Sequence, residues 1–256
     1  MISGRCGMTT ITRFLGVLGF LLCSGFAFSA DDTAPAPAHQ VTQHFRSKKN
    51  KGHTTGYLLF LPKSYTVKSK PWPLLMFLHG SGERGNSLAL VKMHGPPKIV
   101  ETKPDFPFVV VSPQCAKGKR FEPPLLLELL DELQTRLNID PNRTYLTGLS
   151  MGGSGTWATA DAAPKRFAAI VPICGTAPID QKRFLRLPTW VTVGGKDKAS
   201  LVQQLQETVA KLRDKGAPIR FTLYPQLGHN CWDATYGDPK IYTWLLKHSS
   251  DKRGGG

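Results

Sequence analysis

Residues 144–155 read Thr-Tyr-Leu-Thr-Gly-Leu-Ser-Met-Gly-Gly-Ser-Gly. A β-branched and aromatic run meets a cluster of small residues with one serine at its centre, and the alanine-rich stretch from Trp157 to Ala163 follows. This is the pattern of a strand, a sharp turn and a helix. Gly148, Ser150 and Gly152 spell G-x-S-x-G, in which the turn strains the serine and the glycines remove side chains that would collide with the neighbouring strand and helix. The hydroxyl is thereby lifted clear of the backbone at the positive end of a helix dipole. In a chain with 25 glycines the five-residue pattern alone is weak. The strand before it and the helix after it carry the inference.

The rest of the chain supplies a frame for that turn. Val41 to Phe45 and Tyr57 to Leu61 are strand-like and separated by polar residues, which predicts an antiparallel edge hairpin. Leu74 to Leu78 and Phe108 to Val111 are continuous apolar runs, the signature of strands covered on both faces. The first ends in the glycine-rich His79-Gly80-Ser81-Gly82-Glu83-Arg84-Gly85. Pro123-Pro124 opens a leucine-rich helix to about Leu137, and Asp140-Pro141-Asn142 predicts a turn into the serine strand. Phe167 to Ile173, Thr189 to Val193 and Ile219 to Tyr224 read as further strands. Ser200 to Lys215 reads as an amphipathic helix closed by Gly216, and Pro239 to Leu246 as a last helix. Strands alternating with helices at these lengths predict an α/β fold: one domain, residues 41–248, with a mostly parallel sheet of about eight strands and helices on both faces.

The ends differ in character. Arg5 and Arg13 precede an apolar run from Phe14 to Phe28 that gives way to Ser29-Ala30-Asp31-Asp32, the layout of a secretory signal peptide over residues 1–30. The run is short and broken by glycine for a membrane span, so no stable membrane insertion is expected after cleavage. Residues 31–40 read as a Pro/Ala-rich tail and 249–256 as a flexible one. The expected location is secreted or periplasmic. The 33 Lys and Arg against 18 Asp and Glu leave a formal charge of +15, but the basic residues are scattered. Lys48-Lys49-Asn50-Lys51 and Lys117-Gly118-Lys119-Arg120 are the densest clusters. They read as a solvated surface suited to an anionic cell wall or polysaccharide, and no nucleic-acid partner is expected. Cys115, Cys174 and Cys231 remain after the signal segment; each follows a strand, and any pair could bridge two loops.

A serine hydroxyl is a poor nucleophile without a base to take its proton and a group to orient that base. Functional loops in such sheets gather at the carboxyl ends of the strands. Gly194-Gly195-Lys196-Asp197 follows one strand and Gly228-His229-Asn230 follows the next, in the order Ser, Asp, His known for G-x-S-x-G hydrolases. Each candidate has a plainer alternative. Ser150 could be a turn serine, Asp197 a helix cap with Asp233 standing in for it, and His229 a structural histidine. His79 reads as structural, and His53 and His94 as surface residues. Glu83 and Arg84 could clamp a substrate carboxylate, but an internal salt bridge fixing their loop is the simpler reading.

Leu78-His79-Gly80-Ser81-Gly82-Glu83-Arg84-Gly85, Gly148 to Gly153 and Gly228-His229-Asn230-Cys231-Trp232 together resemble the α/β-hydrolase superfamily. Within it the chain is similar to small secreted esterases grouped with feruloyl esterases, polyhydroxybutyrate depolymerases and prolyl-oligopeptidase-like predicted peptidases. The resemblance spans residues 55 to 247. It implies Ser150 as nucleophile, His229 as general base, Asp197 as the orienting carboxylate and the Met151 N–H as one oxyanion donor. The second donor is expected from the loop after Leu78, with Ser81 first and Gly82 as the alternative. Trp157 and Trp232 flank the serine and histidine segments and are candidates to line the substrate pocket, core packing being the alternative.

The expected activity is hydrolysis of carboxylic esters, short-acyl or polymer-linked, such as acetyl or feruloyl esters, through an acyl-enzyme. No cofactor is required and no metal site is expected. The short segment between the 167–173 and 189–193 strands leaves no room for a cap domain. Two alternatives use the same scaffold: a prolyl-oligopeptidase-like serine peptidase, and a non-catalytic binding protein.

Overall fold

Trp72–Leu78 explains the architecture: all of it beyond the first residue is buried, so both of its faces need cover. It is β3 of eight strands in one sheet, after β1 (Gln40–Arg46) and β2 (Thr54–Phe60) and before β4 (Val109–Pro113), β5 (Ile139–Leu149), β6 (Ala169–Ile173), β7 (Thr189–Gly194) and β8 (Ile219–Tyr224). The helices are α1 (Gly95–Ile99), α2 (Pro123–Arg136), α3 (Met151–Ala162), α4 (Ala199–Asp214), α5 (Trp232–Gly237) and α6 (Pro239–Leu245). These come from a computed structural model that describes residues 40–49, 52–177 and 182–252.

The strand order is β1-β2-β4-β3-β5-β6-β7-β8. β1 pairs with β2 and β2 with β4 antiparallel, and every later neighbour is parallel. Successive side chains of a strand point to opposite faces. Phe77 meets Tyr236 of α5 with ring centroids 5.8 Å apart, whereas Leu78 points at Gly155 of α3. The sheet is therefore covered on both sides, and no large cap domain interrupts it. It is an α/β-hydrolase fold.

The sequence expectations hold for the strands and the longer helices. Three places differ. β5 begins at Ile139, so the Asp140-Pro141-Asn142 turn lies inside a strand. Its local chemistry survives as an Asn142 N–H bond to Asp140 Oδ1 of 2.9 Å and a register shift opposite Trp72 to Leu74. α1 and α5 stand where the sequence predicted no element. Ser249 and Ser250, expected to begin a flexible tail, are held on β5: the Ser250 N–H donates to Asn142 O at 2.9 Å and its hydroxyl to Asn142 Oδ1 at 3.0 Å. The expected signal peptide and nearly all of the Pro/Ala-rich tail lie outside the described residues. Among those residues no helix is long and apolar enough to cross a membrane.

Candidate active site

β5 and α3 meet at Ser150, whose φ of 53° lies in the left-handed region that a serine adopts only under compulsion. The compulsion is visible on both sides. The Ser150 N–H donates to Ile173 O of β6 at 2.9 Å. A β-carbon on Gly152 would lie 1.9 Å from the Leu78 carbonyl oxygen, and one on Gly148 2.4 Å from that of Gly152. Only glycines allow α3 to come this close to the sheet, which aims the serine out beyond the strand ends.

The ends of β7 and β8 bring the other candidates. Ser150 Oγ donates to His229 Nε2 at 2.8 Å, and His229 Nδ1 donates to Asp197 Oδ2 at 2.7 Å. The imidazole is 46% exposed and the carboxylate behind it 3%. Asp197 Oδ1 also accepts the Lys198 N–H at 2.7 Å, which fixes the carboxylate plane. Asp233, the substitute for Asp197, is instead 3.8 Å from His94. Ser81 and Met151 line the cleft beside Ser150, together with Arg84, Arg120, Ser154 and Lys198; Gly82 does not. The cleft holds about 680 Å³ and is open to solvent.

This arrangement is what a G-x-S-x-G chain needs, and residues 39–235 match the dienelactone hydrolase family. The chain belongs to the dienelactone hydrolase family. It is 26% identical over 177 residues to a bifunctional acetylxylan esterase/xylanase of Neocallimastix patriciarum, a match that covers 66% of this chain and 25% of the relative. It therefore spans about a quarter of that protein's length. Its structure is similar to that of a thermostable esterase, with 30% identity, a TM-score of 0.71, and 82% of this chain and 63% of the other covered. A ferulic acid esterase shares the fold at 21% identity and a TM-score of 0.61, covering 80% of this chain and 95% of that one.

Within this member of the family several expectations need correction. Trp157 cannot line the cleft: it is 1% exposed and packs edge-on against Phe184 at 4.9 Å, because α3 is buried on this side as well. Trp232 stands beside His229 with ring centroids 5.7 Å apart and donates Nε1–H to His94 Nδ1 at 3.3 Å. It braces the imidazole and does not line the cleft around Ser150. His94 is accordingly no plain surface residue. Glu83 and Arg84 form no salt bridge with each other. Glu83 lies 4.0 Å from both His79 and His94, while Arg84 donates to Ser81 O at 3.0 Å and Lys119 O at 3.3 Å. The loop is fixed by Arg84 bonding to backbone.

His79 is structural, as its sequence position suggested. Its Nδ1–H donates to Gly80 O at 2.6 Å and its Nε2 accepts the Cys115 N–H at 2.9 Å. Burial holds its pKa down to about 4, so it stays neutral and joins the end of β3 to the end of β4. Among the described residues no two cysteines are bridged: Cys115, Cys174 and Cys231 are all free and buried. Cys174 and Cys231 share a thiol hydrogen bond, and that bond followed by burial pushes the Cys174 thiol up, so it remains protonated. Among the described residues one cluster offers metal-type ligand atoms within 4.8 Å of one another, Cys174, Asp197 and His229. A cation there would compete for the atoms that bind Asp197 to His229, so the donor set fits proton transfer better than metal binding. Arg120, read in the sequence as part of a basic surface cluster, lines the cleft, and so does Lys198, which the sequence marks only as one basic residue among many.

Proposed function

We propose that the protein hydrolyses carboxylic esters through an acyl-enzyme on Ser150. The observation that carries this is the unbroken chain of short hydrogen bonds from the Ser150 hydroxyl through His229 to the Asp197 carboxylate. His229 Nε2 removes the hydroxyl proton as Oγ attacks the ester carbonyl, while Asp197 holds the Nδ1 tautomer and stabilises the imidazolium. The Met151 and Ser81 N–H groups are assigned to the oxyanion, and His229 returns its proton to the departing alcohol. Water then attacks the acyl-serine by the same route in reverse.

The open cleft and absence of a large cap favour short acyl groups or esters carried on polymers, such as acetyl or feruloyl esters. The relatives named for acetylxylan and ferulic acid esters support that class. The amino-terminal sequence supports export, so the expected location is secreted or periplasmic. Amino-terminal sequencing of protein recovered from outside the cytoplasm, starting near Asp31, would support cleavage; an intact Met1 there would refute it.

Purified protein should hydrolyse p-nitrophenyl acetate and label at Ser150 with a fluorophosphonate. Ser150→Ala should lose about four orders of magnitude or more of turnover, since triad members act as a unit. Undiminished turnover in that variant would overturn the assignment. A matched peptide anilide cleaved faster than the ester would instead identify a peptidase.

A further inference from the structure

Ester hydrolysis needs no charged rim, yet the rim of this cleft is charged with one sign. Arg84, Arg120 and Lys198 line it around Ser150, and no carboxylate side chain lines it with them. Asp197 is closed off behind His229, and Glu83 turns to His79 and His94. Among the described residues none of the three cations has an acidic partner; the Lys and Arg ion pairs all lie elsewhere. Arg84 is held by two backbone carbonyls, which leaves its full charge and further N–H donors of its planar fork unused.

Arg120 also lines a second groove of about 340 Å³, so cleft and groove share a wall. That groove presents His44, Asn86, Lys119 and Phe121, with Glu122 as its one acidic residue. The basic cluster Lys117-Gly118-Lys119-Arg120 thus stands at the junction of the two. An acetyl group occupies a small part of such a space. The length of the combined surface fits a chain.

We propose, building on the ester-hydrolase reading, that the substrate is an ester carried on an anionic polysaccharide. Sugar carboxylates lie against Arg84, Arg120 and Lys198, and neighbouring sugars occupy the groove beside Phe121 and Asn86. Arg pairs bidentately with carboxylate, and an aromatic face with amides and hydroxyls suits a sugar ring. The backbone of a nucleic acid is joined by phosphodiesters and offers the serine no carboxylic ester, and a neutral fatty acyl chain would leave all three cations of the rim unpaired.

The test compares kcat/KM on acetylated alginate with that on acetylated dextran of equal acetylation and length, with p-nitrophenyl acetate alongside. The anionic polymer should be preferred about tenfold or more. The preference should collapse in about 0.5 M salt, where the screening length falls to roughly 4 Å. Arg120→Gln and Lys198→Gln should each lower the ratio several-fold. Lys63→Gln, which removes the same charge beyond the far end of β2, should leave it unchanged. Equal rates on both polymers, or cleavage of p-nitrophenyl acetate without either polymer, would overturn the proposal and leave the ester-hydrolase reading intact. So would a Lys63→Gln effect as large as that of Arg120→Gln, since net charge would then be responsible. No hydrolysis of any of the three would overturn both.

Discussion

Gly194, the last residue of β7, lies directly against Gly228, the residue before His229: a β-carbon on Gly194 would sit 2.0 Å from the Gly228 carbonyl oxygen. The two loops are also joined by Gly195 N–H to Tyr224 O at 2.8 Å and Lys196 N–H to Leu227 O at 2.9 Å. Their close approach sets the 2.7 Å bond between His229 and Asp197. Gly194→Ala must push the loops apart, and a displacement of about 1 Å at a reacting group costs roughly 100-fold in rate. We expect kcat/KM to fall about that far on p-nitrophenyl acetate. Gly237→Ala, where a β-carbon meets nothing within 4 Å, should leave it unchanged.

Asp197→Asn tests the orientation of the base. An amide at this position keeps the shape but no longer dictates which ring nitrogen of His229 carries the proton. The loss in kcat should be about 10⁴. Asp233→Asn should have little effect, because that carboxylate faces His94. A larger loss from Asp233→Asn than from Asp197→Asn would reverse the assignment.

His79 makes stability depend on pH. Burial lowers its folded-state pKa to about 4, below the ordinary value of about 6.5 kept by the unfolded chain. Between those values the unfolded chain binds the extra proton, so stability rises with pH. Its contribution is complete above about pH 6.5 and is lost as the pH falls toward 4, to a total of about 3 kcal/mol. His79→Asn should be less stable than the parent at pH 7. Its denaturation midpoint in urea should fall less between pH 7 and pH 4.5, because the linked proton is gone.

The sheet was legible because strands buried on both faces leave continuous apolar runs, as in Leu74 to Leu78. The positions of Ser150, Asp197 and His229 were legible because each follows a strand rich in β-branched and aromatic residues. α1 and α5 were not. Helices this short do not form on local propensity; they exist because Phe77 packs on Tyr236 and α1 on α5. The burial of Trp157 was equally hidden, since α3 is apolar or small nearly all round and its sequence does not say which side meets Phe184. Arg84, Arg120 and Lys198 lie on three separate connections, and only the fold gathers them around one serine.

The two tryptophans should separate in opposite ways. Trp157 is part of the core, and its Nε1–H is buried without a partner. Trp157→Ala should cost about 3–5 kcal/mol through the cavity it leaves. Trp157→Phe should cost far less, because removing an unpaired buried donor offsets part of the lost contact. Both variants should keep near-normal turnover at temperatures where they remain folded, since Trp157 lines no part of the cleft. Trp232 is half-buried and touches His229 and His94, so Trp232→Ala should cost less stability. Its kcat should nonetheless fall several-fold, because the imidazole loses the ring that braces it. Thermal melting and kcat measured on the same samples decide the matter: if Trp157→Phe lost turnover while Trp232→Ala kept it, the bracing role would belong to the wrong residue.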